Sequence, residues 1–311
     1  MDVTLSEEVR AARAEGLPLV VLESSVLAQG LPFPENLAAQ RACEAAVRAA
    51  GAVPAVVAVL DGRVRCGLST EEVELLAQGP GRTRKVGARD LAPAVASRAL
   101  GGTTVSATCA VAGAVGLPVF STGGLGGVHP GATGDVSEDL HALAHFPGMV
   151  VCAGAKSVLD LPRTLEALES LGVLLVGFRT AEFPAFYAST SGLPLGHRVE
   201  DSPSAAALLR IHRDQLGRPG ALVLCVPPPP DVALAPSELF AALASAHVAA
   251  ERQGVSGQAL TPFLLRALVE LTGGRTLRAN VALLESNARI AAEVAVAYAR
   301  GRGVPRGPPG A

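Results

Sequence analysis

The sequence has few aromatic residues and little charge. Its 311 residues include eight Phe, two Tyr and no Trp, and 17% of them are charged, with a net charge of −2 at pH 7. A surface that stacks nucleic-acid bases needs aromatic side chains, and a polybasic binder needs an excess of Lys and Arg. The composition therefore excludes both classes, and we expect no nucleic-acid partner.

Long apolar runs and paired cysteines are also missing. No apolar run approaches the ~20 residues that a membrane span needs, and the N-terminal segment lacks the basic start and apolar stretch of a secretory signal. The five cysteines are scattered, odd in number and form no CxxC pair. This usage is typical of small buried thiols in a reducing compartment. We therefore expect a cytoplasmic protein with no membrane partner.

Lysine is the scarcest cation. Lys85 and Lys156 are the only two lysines, and every other fixed cation is arginine. Arginine stays protonated, whereas a desolvated lysine can become a neutral amine that attacks a carbonyl carbon. The two lysines are either surplus surface residues or include a nucleophile, and composition alone does not separate these interpretations.

Short apolar segments alternate with helical patterns along most of the chain. Val53–Leu60 and Arg63–Cys66 predict a hairpin, and Ser69 with Glu72 resembles a capping box at a helix start. The other strand candidates are 18–22, 115–121, 148–153, 173–178 and 221–226. Apolar strands without polar alternation favour a mostly parallel sheet that helices cover on both faces. The final third is more helical, so the sequence predicts an α/β fold.

Two segments rich in glycine or hydroxyls are candidates for anion binding. Residues 122–131 follow an apolar strand, and residues 101–108 lead into an apolar helix. Backbone N–H groups in such segments can approach an anion closely. The first segment lacks the spacing of a dinucleotide site, which leaves a phosphate or substrate loop and a structural turn. For the second, a phosphate site and ordinary helix capping are equally favoured.

A cluster of carboxylates and histidines covers residues 135–145. Asp135 and Asp139 lie one helical turn apart, and hard oxygen ligands with waters suit Mg²⁺ or Mn²⁺. The alternative is a charged first turn that the helix dipole stabilises. His141 and His145 have a chelating spacing, but no catalytic Glu stands beside His141, which favours solvated histidines.

The segment 152–157 places Lys156 at the end of a buried strand. Enzymes with α/β folds place their sites at this end of the sheet, and small neighbours leave room for a ligand. These features favour a Schiff-base or other catalytic role. Asn280 and Asn287 are two of only three Asn, and their spacing of seven places them on one helix face. That pattern is by itself more typical of a polar face than of a site.

Nine segments, in order and spanning nearly the whole chain, resemble the pseudouridine-5′-phosphate glycosidase family, also called the indigoidine synthase A family. They are LESSVLAQGLPFPEN (22–36), RKVGARDL (84–91), GGTTVSATCAVA (101–112), FSTGGLGGVHPGA (120–132), DVSEDL (135–140), VCAGAKSVLDL (151–161), TPFLL (261–265), LTGG (271–274) and LRANVALLESNARIAAEVA (277–295). The resemblance implies a three-layer α/β/α sandwich in a single domain over residues 1–303, with a loose tail over 304–311.

The resemblance also implies an activity. Members of the family reversibly cleave the C–C glycosidic bond of pseudouridine 5′-phosphate to give uracil and ribose 5-phosphate, in pseudouridine catabolism. It implies a lysine Schiff base with the ring-opened ribose, one Mn²⁺ per subunit and a homotrimer. The expected partners are therefore this small-molecule substrate and further copies of the chain.

The family's reactive residues fall on positions of this sequence that match its motifs. The nucleophilic lysine falls on Lys156, and the acid/base glutamate falls on Glu23. The second lysine falls on Lys85, where it would bind substrate, and the aspartate that binds the metal falls on Asp135. Both lysines of the chain thus coincide with the two that the family uses.

The remaining positions implied by the resemblance contact the substrate. They are the backbone of Val105, the segment Ser137, Glu138 and Asp139, the amide of Asn280, and Thr104, His129 and Ser137 for the phosphate. The sequence departs from the family pattern at Gln29, where relatives often have His, at Val226, and in a shorter stretch before Asp135. Two alternatives stay open: an aldolase that acts on another sugar phosphate through Lys156, and a non-catalytic metabolite-binding protein.

Overall fold

The computed structural model describes residues 1–79, 81–131, 134–255 and 260–301, without the side chain of Pro262. The predicted tail over 304–311 lies outside the described residues, and the division into one domain over 1–303 stays a prediction. Among the described residues, no helix is both long and apolar enough to cross a membrane.

Strands and helices alternate through the first two thirds of the chain. The strands are β1 (Thr4–Leu5), β2 (Leu19–Leu22), β3 (Val53–Leu60), β4 (Arg63–Cys66), β5 (Arg84–Val86), β6 (Gly101–Thr103), β7 (Val119–Ser121), β8 (Met149–Cys152), β9 (Leu174–Phe178), β10 (Arg198–Val199) and β11 (Leu222–Cys225). The α-helices are α1 (Glu7–Ala14), α2 (Glu35–Ala49), α3 (Thr70–Ala77), α4 (Leu91–Ala96), α5 (Val105–Val115), α6 (Glu138–Ala144), α7 (Leu161–Ser170), α8 (Ser202–Leu209), α9 (Pro236–Arg252), α10 (Leu260–Leu271) and α11 (Arg275–Arg300).

The described strands form one mostly parallel sheet. Its order is β1-β4-β3-β2-β7-β8-β11-β9-β10, with β6 paired to both β3 and β5. The pairs β3–β4 and β3–β6 are antiparallel, and the other pairs are parallel. The central strands β2, β8 and β11 are buried along their whole length, which explains why they read as continuous apolar runs. The predicted α/β fold with a mostly parallel central sheet and a helical C-terminal third is confirmed.

The longest helix covers the middle of this sheet. The 26 residues of α11 pack against β2, β7 and β8 and also against α2 and α8. Its buried side chains are mainly Ala, Leu and Val, which allow close approach to the strands. The C-terminal helix therefore lies directly behind the strands whose ends carry the predicted site residues.

Local sequence signals predict most helix starts and the hairpin. Ser69 and Glu72 form the capping box at the start of α3, and β3 and β4 pair in the predicted hairpin. The predicted strand over 115–121 is wrong in its first half, because α5 continues to Val115. Gly116 then ends the helix in a left-handed conformation with φ 73°. In a short apolar run, hydrophobic periodicity cannot distinguish the buried end of a helix from a buried strand.

The strand β6 has no signal in the sequence because it consists largely of glycine. A Cβ atom at Gly102 would lie 2.6 Å from the Cβ of Ala28 and 2.7 Å from the carbonyl oxygen of Ser24. The neighbouring Thr103 N–H donates to Ser24 Oγ at 3.0 Å. Gly102 therefore lets β6 approach the chain that follows β2, next to Glu23.

We expect Gly102→Ala to lower the free energy of unfolding by about 1–3 kcal/mol, because the added methyl group overpacks a backbone contact. Urea unfolding followed by circular dichroism measures the difference. Gly196→Ala is the matched control, since a Cβ there meets nothing within 4 Å. Equal unfolding free energies for the two variants would contradict the prediction.

Candidate active site

A cavity of about 340 Å³ lies where β2, β7 and β8 end. These three strands are parallel neighbours, so the residues that follow them meet at one edge of the sheet. Glu23, Lys85, Lys156 and Asn280 all line the cavity. Four residues that are far apart in sequence are thus brought together around one space large enough for a small ligand.

Glu23 is the buried acid of this cavity. It directly follows β2 and is 8% exposed. The hydroxyls of Ser25 and Thr122 both donate hydrogen bonds to its carboxylate. Burial raises the pKa of Glu23, and this effect outweighs the nearby positive charge of Lys156 and the two hydrogen bonds. A carboxyl group with a raised pKa can hold a proton and deliver it to a ligand.

Lys156 lies on a loop that several backbone contacts hold in place. Its N–H donates to the carbonyl of Leu125 at 3.0 Å, and the N–H of Ala153 donates to the carbonyl of Gly123 at 2.9 Å. Gly154 has a φ of 79°, and a Cβ there would lie 2.2 Å from the carbonyl oxygen of Pro184. Only glycine fits at this position, so the loop aims Lys156 into the cavity with little freedom.

Lys85 brings a second amine to the same cavity. It lies on β5, which pairs with β6. Desolvation and then the positive charge of Lys156 lower the pKa of Lys85. Both amines therefore line one cavity, an arrangement that suits a ligand with negative charge.

The two asparagines of α11 do not form a polar surface face, so the interpretation from their spacing is wrong. Asn280 lines the cavity together with Tyr187. Asn287 is 1% exposed, and its Nδ2 donates to the carbonyls of Thr122 and Gly123. The shared face points into the protein, towards the site.

The segment Ser137 to Asp139 does not line the cavity. The buried carboxylate of Asp139 accepts from the N–H groups of Ser106 at 3.0 Å and Gly126 at 2.8 Å. Glu138 accepts from the N–H of Arg89 at 2.9 Å, and Ser137 caps α6 through the N–H of Asp139. Asp139 thus ties the glycine-rich segment 122–131 to the start of α5.

Thr104, Val105 and His129 also lie outside the residues that line the cavity. Thr104 is the N-cap residue of α5, and Val105 is its buried first residue. The N–H of His129 donates to the carbonyl of Asp135 at 2.9 Å. The start of α5 and the glycine-rich segment 122–131 thus lie side by side, since Asp139 bonds to both of them.

Asp135 offers one exposed carboxylate. Among the described residues, no group of three or more His, Cys, Asp or Glu is arranged to hold a metal ion. A single carboxylate fits a hard divalent ion that keeps most of its waters. It does not fit a closed site with four protein ligands. The rings of His141 and His145 stack 6.3 Å apart, which supports their interpretation as helix-surface histidines.

The sequence patterns did not predict the aromatic residues that line one side of the cavity. Phe186 and Tyr187 line it, with their rings in edge contact at 4.6 Å. Phe186 has a φ of 63°, which is strained for a bulky residue. A Cβ at Gly124 would lie 2.5 Å from its ring. The segment carries no periodic pattern, and its one signal is an adjacent aromatic pair in a chain that is poor in aromatics.

Comparisons with known proteins agree over nearly the whole chain. The profile of the family described as "Indigoidine synthase A like protein" matches residues 8–297. A relative from Myxococcus xanthus (strain DK1622), named pseudouridine-5′-phosphate glycosidase, is 54% identical over 302 residues, which cover 96% of this chain and 99% of the relative. A relative of the same name from Chloroflexus aurantiacus is 50% identical and covers 94% of this chain and 97% of its own.

Solved structures are similar as well. The crystal structure of a prealnumycin C-glycosynthase in complex with ribulose 5-phosphate superposes with a TM-score of 0.89 at 35% identity, covering 96% of this chain and 98% of the other. An indigoidine synthase A-like protein from Thermotoga maritima gives a TM-score of 0.86 at 36% identity, covering 96% and 97%. On this agreement in sequence and structure, the chain belongs to the indigoidine synthase A-like family.

Proposed function

We propose that the protein catalyses the reversible cleavage of pseudouridine 5′-phosphate to uracil and ribose 5-phosphate, in pseudouridine catabolism. The observation that carries the proposal is the single cavity that Glu23, Lys85, Lys156 and Asn280 line. Relatives that are about half identical over their full length are named for this glycosidase. A buried acid beside a pair of amines is the chemistry that such a reaction needs.

Lys156 is the proposed nucleophile. Its neutral amine attacks C1′ of the ribose, the C1′–O4′ bond breaks, and the proton lost by the nitrogen ends on O4′. The sugar is then an open chain whose C1′ is bonded both to Lys156 and to C5 of uracil. The nitrogen lone pair next forms a C=N bond while the C1′–C5 bond breaks, and its electron pair goes to the base.

Glu23 is the proposed acid and base. It gives its proton to C5 of the departing uracil, which completes the first product. Water then adds to the imine carbon, and Glu23 takes up the proton that the water releases. Loss of the amine frees ribose 5-phosphate and restores Lys156. The sum consumes one water and needs no oxidant.

The remaining predicted residues are proposed to bind the substrate. Lys85 contributes positive charge within the cavity, and Asn280 offers an amide. The others are proposed for the backbone contact and the phosphate end: Thr104, Val105, His129, Ser137, Glu138 and Asp139. Thr104 and Val105 lie at the start of α5, and a helix N-terminus attracts an anion.

Asp135 is proposed to hold one Mn²⁺, with waters in the other positions. Such an ion supplies positive charge that neutralises phosphate oxygens. We further propose a cytoplasmic homotrimer, on the family resemblance.

The function is tested by running the reaction backwards. Purified protein, uracil, ribose 5-phosphate and Mn²⁺ are incubated, and mass spectrometry looks for pseudouridine 5′-phosphate. We expect the product to form and to disappear with a chelator. A folded protein that yields none, but accepts another aldehyde phosphate, would favour the aldolase alternative instead.

A further inference from the structure

A polar link runs from α11 to the carboxylate of Glu23. Asn287 Nδ2 donates to the carbonyl of Thr122 at 2.9 Å and approaches the carbonyl of Gly123 at 3.4 Å. The hydroxyl of Thr122 donates to Glu23. Asn287 is not among the residues that line the cavity, so it reaches the site only through this segment.

The setting of Asn287 is otherwise apolar. Its neighbours Leu283, Leu284, Ala288 and Ala291 on the same helix are all buried. The side-chain oxygen of Asn287 is buried and has no hydrogen-bond partner among the described residues. A buried amide with one unpaired atom lowers stability relative to an apolar side chain of the same shape. The packing of the helix alone therefore gives no reason for an asparagine here.

The segment that Asn287 holds is central to the site. The carbonyl of Gly123 also accepts from the N–H of Ala153, at the start of the loop that carries Lys156. Thr122 and Gly123 follow β7, which lies between β2 and β8. A shift of this segment would move the Thr122 hydroxyl away from Glu23.

We propose that Asn287 is a positioning residue, which fixes the Thr122–Gly123 backbone so that the Thr122 hydroxyl holds the carboxylate of Glu23 in place for proton transfer. The inference rests on the proposed function. It assigns to Asn287 a role in catalysis without contact with the substrate.

The proposal predicts a change in the titration of Glu23. Thr122 donates to the carboxylate and so favours its ionised form. Losing this bond, directly or through Asn287, raises the pKa of Glu23 further. The titratable groups coupled to Glu23 include Lys156 after β8, Lys85 on β5, Asp139 on α6, Cys43 on α2 and Cys109 on α5, and the variants alter none of these.

The test compares Asn287→Leu, Thr122→Val and the double variant with the unchanged protein. We expect kcat to fall by about 10²-fold in Asn287→Leu, the scale of a misplaced group, with KM within a few-fold. The limb of the pH–rate profile that belongs to Glu23 moves to higher pH in both single variants, whether Glu23 acts as acid or as base. The double variant matches Thr122→Val, since both changes act through one hydrogen bond.

One control variant separates a positioning role from a general loss of stability. Ser202→Ala removes another link to α11, the bond from Ser202 Oγ to Glu293 at 2.8 Å, and should leave the pH profile unchanged. If Asn287→Leu does not fold, Asn287→Ala replaces it. An unmoved limb, or shifts that add in the double variant, would overturn the proposal.

A measurement that does not depend on turnover tests the role of Asn287 separately from the proposed function. The Glu23 carboxyl is titrated by NMR in protein with ¹³C-labelled glutamate, and a Glu23→Gln sample identifies its signal. We expect a higher midpoint in Asn287→Leu than in the unchanged protein. If the unchanged protein makes no pseudouridine 5′-phosphate, the proposed function fails. Equal titration midpoints of Glu23 in the two proteins would overturn the role of Asn287, whatever the outcome of the activity assay.

Discussion

Replacing Lys156 by alanine is expected to reduce turnover by about a thousand-fold or more, the scale seen when a catalytic nucleophile is lost. The loss follows because the proposed bond to C1′ is formed by the Lys156 amine, which alanine lacks. Lys156→Arg is expected to be equally inactive, since arginine keeps the charge but stays protonated. The measurement is pseudouridine 5′-phosphate cleavage, followed by the release of uracil.

Chemical trapping makes this prediction specific. Borohydride reduces an imine to a stable amine, so incubation with ribose 5-phosphate and borohydride should attach the sugar phosphate to Lys156. Peptide mass spectrometry locates the modification. Lys85→Arg is the matched control, because it alters the other lysine of the cavity and should still be labelled at Lys156. A Lys156→Ala protein that keeps its turnover, or labelling that persists in it, would refute the assignment.

Glu23→Gln is expected to lower turnover by about 10²- to 10⁴-fold, the usual contribution of a positioned acid or base. Glutamine has nearly the same shape and can still bond to Ser25 and Thr122, but it has no proton to transfer. The same cleavage assay measures the loss.

The same variant is expected to be more stable at neutral pH. Burial raises the pKa of Glu23, so the unfolded chain loses this proton at lower pH than the folded protein. Ionisation therefore favours unfolding as the pH rises above the ordinary glutamate pKa of about 4.3. Below that value the group is neutral in both states, and the advantage of glutamine should shrink. Unfolding by urea at several pH values measures this.

Glu44→Gln is the control for this pair of effects. Burial also raises the pKa of Glu44, which bonds to Gln40 on α2. We expect the same sign of stability change there, with turnover unaffected. Retention of turnover by Glu23→Gln to within about ten-fold would remove Glu23 from the mechanism.

Periodicity and turn chemistry predict the core strands and most helix starts. The strands β2, β8 and β11 are continuous apolar runs, and a buried parallel sheet requires such runs. The scarcity of lysine marks Lys85 and Lys156 as candidates, and the position of Lys156 at the end of an apolar run favours it as the nucleophile. Lys85 and Lys156 do meet in one cavity, as the sequence resemblance implied.

The missed features depend on contacts between distant segments. The glycines of β6 form a strand because they pair with β3 and β5, and no local pattern in the sequence predicts these partners. The spacing of Asn280 and Asn287 defines a helix face, yet only the packed structure shows that this face is buried. The bond from Thr122 to Glu23 and the position of Tyr187 in the cavity depend in the same way on segments that are distant in sequence.

The placement of α11 has a consequence for protein synthesis. This helix covers β2, β7 and β8 and supplies Asn280, yet it follows all the described strands in sequence. While the chain emerges from the ribosome, the apolar strands are made long before the helix that shields them. Nascent chains that stop short of α11 therefore expose the middle of the sheet and carry an incomplete site. Under the proposed function, turnover therefore requires that α11 has docked on the sheet.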